Sequence, residues 1–198
     1  HSMPGGRSST SGLSPGGNGK DINLEIEKSE IFRQDGIDIS IDFRRNEPSG
    51  DFFTRSNVFN FGMENGFLTI IYCTENKLGN TECYSEQTQY EIPIDPVFRN
   101  YRFIYTPATG KAEIFVNSII VWQHENDINT PLSWKKAGNI IIGRNMNGGG
   151  VDRVIFDNLI IRSAGSIAPL AESLLNFMLE SKEGGVKMIT GFIKVILI

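Results

Sequence analysis

The sequence predicts an all-β fold: a two-sheet antiparallel β-sandwich of jelly-roll type, followed by a short C-terminal helical or apolar appendage. Three observations predict it. Segment after segment alternates apolar and polar residues with period two, the mark of half-buried strands. Turn residues punctuate those segments: Asp35-Gly36, "ENG" at 64–66, "PATG" at 107–110 and "NS" at 117–118. Between residues 21 and 164 no stretch shows helical spacing. Thirteen Phe and five Tyr suit sheets, and much of the Gly falls between apolar runs.

The elements follow in order. Residues 1–20, rich in Gly, Ser and Pro, read as a disordered linker or a cloning remnant. The sandwich is expected over 21–164. "INLEIE" places Ile22, Leu24 and Ile26 on one face, with Glu25 and Glu27 on the other. "IDISIDF" points Ile37, Ile39, Ile41 and Phe43 inward, and Asp38, Ser40 and Asp42 outward. Residues 46–57 read as a loop, with Phe52 and Phe53 as its anchors. "VFNFGM" and "GFLTIIYC" form a hairpin about "ENG". "YSEQTQYEIPI" is a strand whose Pro93 favours a sheet edge. "YRFIYTPATGKAEIFVNSIIVWQ" reads as three strands joined by two tight turns. Pro107 presets the first turn, and Gly110 supplies its left-handed residue. After a loop at 124–138 come "NIIIGRN", the glycine crest "NGGG" and a closing strand that ends near Ala164. Residues 165–198 form the appendage. Leu170, Leu174, Phe177 and Met178 recur at helical spacing, and "VKMITGFIKVILI" is an apolar tail.

Composition excludes some functions. The net charge of -4 and the lack of a basic stripe argue against nucleic acid. No apolar run is long enough to span a bilayer. Cys73 and Cys83 are separated by nine residues, enough for a hairpin, and read as a disulfide; two free, half-buried thiols are the alternative. A disulfide implies an oxidising site: extracellular, cell surface or periplasmic. No Asn-x-Ser/Thr triplet occurs, which favours a bacterial source. "NGGG" has no following helix or Lys, so it reads as a turn, not a phosphate loop.

"YRFIYTPATGKAEIFVNSIIVW", then "NIIIGRN", then "VIFDNLIIR" resemble, in order and spacing, the concanavalin A-like lectin/glucanase superfamily, and its laminin-G-like branch in particular. "GIDISIDFR" resembles its opening strand, so the resemblance covers residues 22–164. Two positions depart from the pattern. Tyr101 stands where Trp is frequent, and Ser118 stands where the hairpin turn usually has Gly.

The resemblance implies a non-catalytic extracellular binding or adhesion module whose ligand is a glycan or polysaccharide. A protein-interaction or spacer domain of a larger surface protein, with another protein as partner, is the alternative. A glycoside hydrolase or lyase is a third. Enzymes of the superfamily carry two acids on one strand face, as in Glu-x-Asp-x-Glu. Here Glu82 and Glu86 flank Tyr84, Glu25 and Glu27 lie on an outer face, and Asp38 and Asp42 flank Ser40. None reproduces the set, so no catalytic residue is expected. Trp122, His124, Asn126, Asp127 and Trp134 around the loop at 124–138 could stack on and hydrogen-bond a sugar, although Trp122 could equally be core. Asp157 is an acid inside an apolar strand, which is costly unless it is paired. The resemblance implies a structural Ca²⁺ there, with the Gly36 carbonyl as a second ligand. Pairing with Arg153, Arg162 or backbone amides is the alternative.

Overall fold

The computed structural model describes residues 2–4, 7, 11–13, 24–27, 32–56, 58–146 and 155–165. The glycine crest at 147–150, Arg153 and the appendage at 166–198 lie outside the described residues.

Two antiparallel sheets pack face to face. One has seven strands, in the order β1 (Ser2–Pro4), β2 (Ser11–Leu13), β13 (Phe156–Ser163), β4 (Ile37–Phe43), β9 (Arg99–Thr106), β10 (Lys111–Val116) and β11 (Ile119–Glu125). The other has six: β3 (Leu24–Ile26), β12 (Ile140–Arg144), β5 (Gly50–Arg55), β6 (Phe59–Glu64), β7 (Phe67–Glu75) and β8 (Thr81–Glu91). No α-helix occurs among the described residues of this sandwich. The all-β, two-sheet expectation holds.

Alternation decides which side chains meet between the sheets. Ile37, Ile39, Ile41 and Phe43 of β4 face inward beside Tyr101, Phe103 and Tyr105 of β9, all buried. Phe59, Phe61 and Met63 of β6 and Leu68, Ile70 and Tyr72 of β7 face them from the other sheet. The aromatic rings run on from Phe156 to Phe43 (5.2 Å), Phe52 (4.7 Å from Phe43) and Phe61 (5.2 Å from Phe52). Contacts of this kind add about 0.5–1.5 kcal/mol each beyond area burial.

The stretch expected as a loop at 46–57 contains β5. Its alternation is broken by a bulge between Asp51 and Phe53, so Phe52 and Phe53 both turn into the core and are fully buried. Gly62 makes room for that bulge, since a Cβ there would stand 2.6 Å from the Gly50 carbonyl oxygen and 2.8 Å from the Asp51 Cα. Within the first twenty residues, β1 and β2 join the seven-stranded sheet. Leu13 pairs with Phe156, and its carbonyl accepts the Ile155 N–H. In β2 a single apolar residue beside Gly and Ser leaves no period to read.

The predicted turns form. Asn65 and Gly66 both have positive φ, as do Asn117 (47°) and Ser118 (69°). Ser118 therefore holds the left-handed conformation that the resemblance assigns to Gly. β8 is an edge strand that ends before Pro93. Cys73 and Cys83 stand opposite each other on β7 and β8 and are joined by a disulfide.

Candidate functional site

Every outward-facing position of the six-stranded sheet follows from the inward set. Across β5, β6, β7 and β8 the register places Asp51 opposite Gly62, Gly62 opposite Thr69, and Thr69 opposite Gln87. One step along, Asn60 stands opposite Ile71, and Ile71 opposite Ser85. These rows form the floor of a groove of about 290 Å³, with Ser49, Gly50 and Asn145 at one end. The floor is therefore amide, hydroxyl and carboxylate around one exposed apolar side chain, Ile71, which is 36% exposed, with buried Met63 beneath.

One end of the groove is braced. Arg144 donates from Nε to Asp51 Oδ2 at 2.5 Å, and Asn60 donates from Nδ2 to Asp51 Oδ1 at 2.6 Å. Asn60 Nδ2 is thereby committed. Its carbonyl oxygen is buried and receives no hydrogen bond from the described residues. Such an acceptor costs about 1–3 kcal/mol until a donor reaches it. Farther along, Gln87 donates to the Glu64 carbonyl oxygen at 3.1 Å. Thr69, Ser85 and Asn145 make no side-chain hydrogen bond with the described residues, so their polar groups are open to a ligand.

The residues expected from sequence divide. Trp122, His124 and Asn126 do come together, at the mouth between the free edges of the two sheets. His124 stacks on Tyr84 (centroids 3.9 Å) and lies 6.3 Å from Trp122. Tyr84 packs on Tyr72 at 5.6 Å, and Asn126 donates to the Tyr72 hydroxyl at 2.8 Å. The Tyr84 hydroxyl in turn donates to Glu86. Burial, countered in part by the Asn126 hydrogen bond and reinforced by the Glu86 charge, pushes the Tyr72 hydroxyl up to about 12. These rings use their faces on one another, so the cluster is a seam that joins β8 to β11. Asp127 is exposed beside it. Trp134 is separate. It is 7% exposed, lies against Phe59 and under the Arg55 guanidinium, and donates from Nε1 to the Gln34 carbonyl at 2.7 Å. It is a core residue with its polar atom already bonded.

Gly36 and Asp157 are not brought together. Asp157 sits opposite Asp42, six residues along β4 from Gly36, or about 20 Å at the usual strand rise. The Gly36 carbonyl accepts the Ala164 N–H. A bulge at Asn158 (φ 49°) turns Asp157 to the outer face of the seven-stranded sheet. There its oxygens accept backbone N–H groups of Arg7 and Asn158, both at 2.8 Å. The acid in the apolar strand is thus held by backbone amides. Among the described residues no group of three or more His, Cys, Asp or Glu stands together as a metal site.

In sequence the chain matches no family model and no curated protein. In structure it is similar to a heptameric SAP-like pentraxin from Limulus polyphemus (14% identity, 78% of this chain and 76% of that one, TM-score 0.44). It is also similar to the CBM40 of a Ruminococcus gnavus IT-sialidase, solved with α2,3-sialyllactose (10% identity, 73% and 82%, TM-score 0.47). A third similarity is to botulinum neurotoxin type C, described as entering cells through two ganglioside molecules (13% identity, 81% and 41%, TM-score 0.49).

Sequence reasoning missed the groove. Its signal was the outward register of "FNFGME", "FLTIIYC" and "ECYSEQT". That register becomes a site only when the four strands lie side by side.

Proposed function

We propose that this chain is a non-catalytic carbohydrate-binding module of an exported protein, and that the groove on the six-stranded sheet is its binding site. One observation carries the reading: a groove whose floor is amide, hydroxyl and carboxylate around Ile71. Sugar hydroxyls both donate and accept, so they suit Thr69, Ser85, Asn145 and the carbonyl of Asn60, while the apolar face of a ring can lie on Ile71. The resemblance to concanavalin A-like, laminin-G-like domains points the same way. The Cys73–Cys83 disulfide suits an extracellular location.

A glycan array, followed by titration of each hit against variants, tests it. Asn60→Ala and Ser85→Ala are expected to weaken binding about tenfold, the effect of losing one or two ligand hydrogen bonds. Trp122→Ala is expected to keep it. Loss in Trp122→Ala with retention in Asn60→Ala would move the site to the aromatic seam. An array with no binding would remove the carbohydrate reading.

A second reading is favoured by β11, an edge strand with Ile119 69% and Ile120 48% exposed and no Lys or Pro. Such an edge could pair with a strand of another protein. Backbone hydrogen exchange of β11 that slows on adding a candidate partner would support this reading.

A further inference from the structure

The groove has one exposed apolar spot, and its neighbours set the size of what can cover it. Ile71 points outward from β7, with Asn60 opposite it on β6 and Ser85 opposite it on β8. Thr69, two residues back along β7, lies on the same face. Side chains directly opposed on neighbouring strands stand about 5 Å apart at Cβ. Ile71 is therefore flanked at that distance by an amide on one side and a hydroxyl on the other, with a second hydroxyl along its own strand. Ser85 and Thr69 make no side-chain hydrogen bond with the described residues. The Cys73–Cys83 disulfide is the next rung and pins β7 to β8, which keeps Ile71 and Ser85 in register. No aromatic residue is among those that line the groove. An aromatic ring offers a flat platform to the whole face of a sugar. One isoleucine, 36% exposed, offers only a small aliphatic patch.

We infer that the groove selects sugars that bear a methyl group, held against Ile71 while the sugar's neighbouring polar groups bond to Ser85 and Thr69. This rests on the carbohydrate reading and deepens it to one class of ligand. The methyl has two sources: the C6 methyl of a 6-deoxyhexose, and the acetamido methyl of an N-acetylhexosamine. In both, hydrogen-bonding atoms lie within a few bonds of the methyl, as polar side chains lie around Ile71. A parent hexose instead places a hydroxyl on Ile71, and that hydroxyl gives up water without gaining a partner.

Matched pairs of methyl glycosides test this: L-fucose against L-galactose, L-rhamnose against L-mannose, and N-acetylglucosamine against glucose. Each is titrated while the isoleucine methyl signals of the protein are followed by NMR. The methyl-bearing member of at least one pair is expected to bind about fourfold more tightly, the worth of one buried methyl group, and to shift the Ile71 signal. Preference in the deoxy pairs alone assigns the C6 methyl, and preference in the N-acetyl pair alone assigns the acetamido group. Two variants keep a β-branched residue at this exposed strand position, so the fold is retained. Ile71→Thr is expected to abolish the preference and leave the affinity for the parent hexose, whereas Ile71→Val is expected to keep most of it. Equal affinity within every pair would overturn the inference, as would a preference that survives in Ile71→Thr. If none of the six binds while other glycans do on the array, the methyl selection falls and the carbohydrate reading stands. If nothing binds in either assay, both fall.

Discussion

The two outer faces of the sandwich are built by the same alternation and end in opposite states. On the seven-stranded sheet, Asp38, Ser40 and Asp42 point outward yet are 7%, 7% and 3% exposed. Arg102 holds Asp38 with two bonds of 2.7 Å. Asn100 reaches both Ser40 and Asp42, Asn158 reaches Asp42 at 2.7 Å, and Arg7 caps it at 2.7 Å. Donors and acceptors there satisfy one another, and the face is sealed. On the six-stranded sheet the groove closes at one end, through Arg144, Asp51 and Asn60, while Thr69, Ser85 and Asn145 keep their side chains free of hydrogen bonds among the described residues. Polar outward residues therefore do not by themselves mark a binding face. What matters is whether cations and amides stand within reach to occupy the acids.

Breaking the sealed face should do the most damage. Asp42→Ala leaves Asn100, Asn158 and Arg7 without their shared acceptor and should cost about 3 kcal/mol, the low end for a buried polar pair because Arg7 is partly solvated. Chemical denaturation measures this, and ligand affinity should not change. A loss of affinity with stability intact would make the sealed face the functional one.

The disulfide tests the other face, since Cys73 and Cys83 flank the Ile71–Ser85 row. Replacing both with Ser should cost about 2.5 kcal/mol through the freed hairpin loop. It should also weaken binding, as β8 is the groove's far wall. Stability lost with affinity unchanged would show that β8 contributes little to the site.

Tyr72 belongs to the core shared by both faces. Its hydroxyl is raised from 10.0 to about 12, so the neutral form is favoured in the fold. That contribution is complete below the unfolded value near 10 and is lost as pH rises through about 12, roughly 2 kcal/mol in all. Tyr101 and Tyr105 are raised in the same direction, mainly by burial, and should titrate with it. Tyrosinate absorbance against pH, compared with unfolding, checks this; titration near the ordinary value in folded protein would contradict it.

A control distant from the groove should change least. Ser118 sits at φ 69°, where a side chain is strained and Gly is not. Ser118→Gly should raise stability by about 1 kcal/mol and leave ligand binding alone, as a melting curve and one titration would show.

Much of the fold is legible in the sequence because two-fold alternation and turn residues are local. "IDISIDF", "YRFIYT" and "KAEIFV" can be read strand by strand, and the resemblance orders them. β5 is not legible, because a bulge places Phe52 and Phe53 on one side and erases the period. β1 and β2 carry almost no apolar residue to reveal them. At the site, Trp122, His124 and Asn126 meet in space but form a seam, and Trp134 goes to the core. Asp157, an acid in an apolar strand, needs partners, and two backbone amides, those of Arg7 and Asn158, are among them.

Local spacing alone was enough to establish the class of fold, the inward face of most strands and the hairpin turns, and it put Cys73 and Cys83 within reach of each other. Each depends on residues a few positions apart, where sterics and burial act directly. Which polar face closed and which stayed open was settled in the assembled sandwich. That outcome depends on residues far apart in the chain, such as Asp38 with Arg102, Asp51 with Arg144 and Asn60 with Ser85 two strands away. Lateral register across a sheet sets those meetings, and no period along a single strand encodes it.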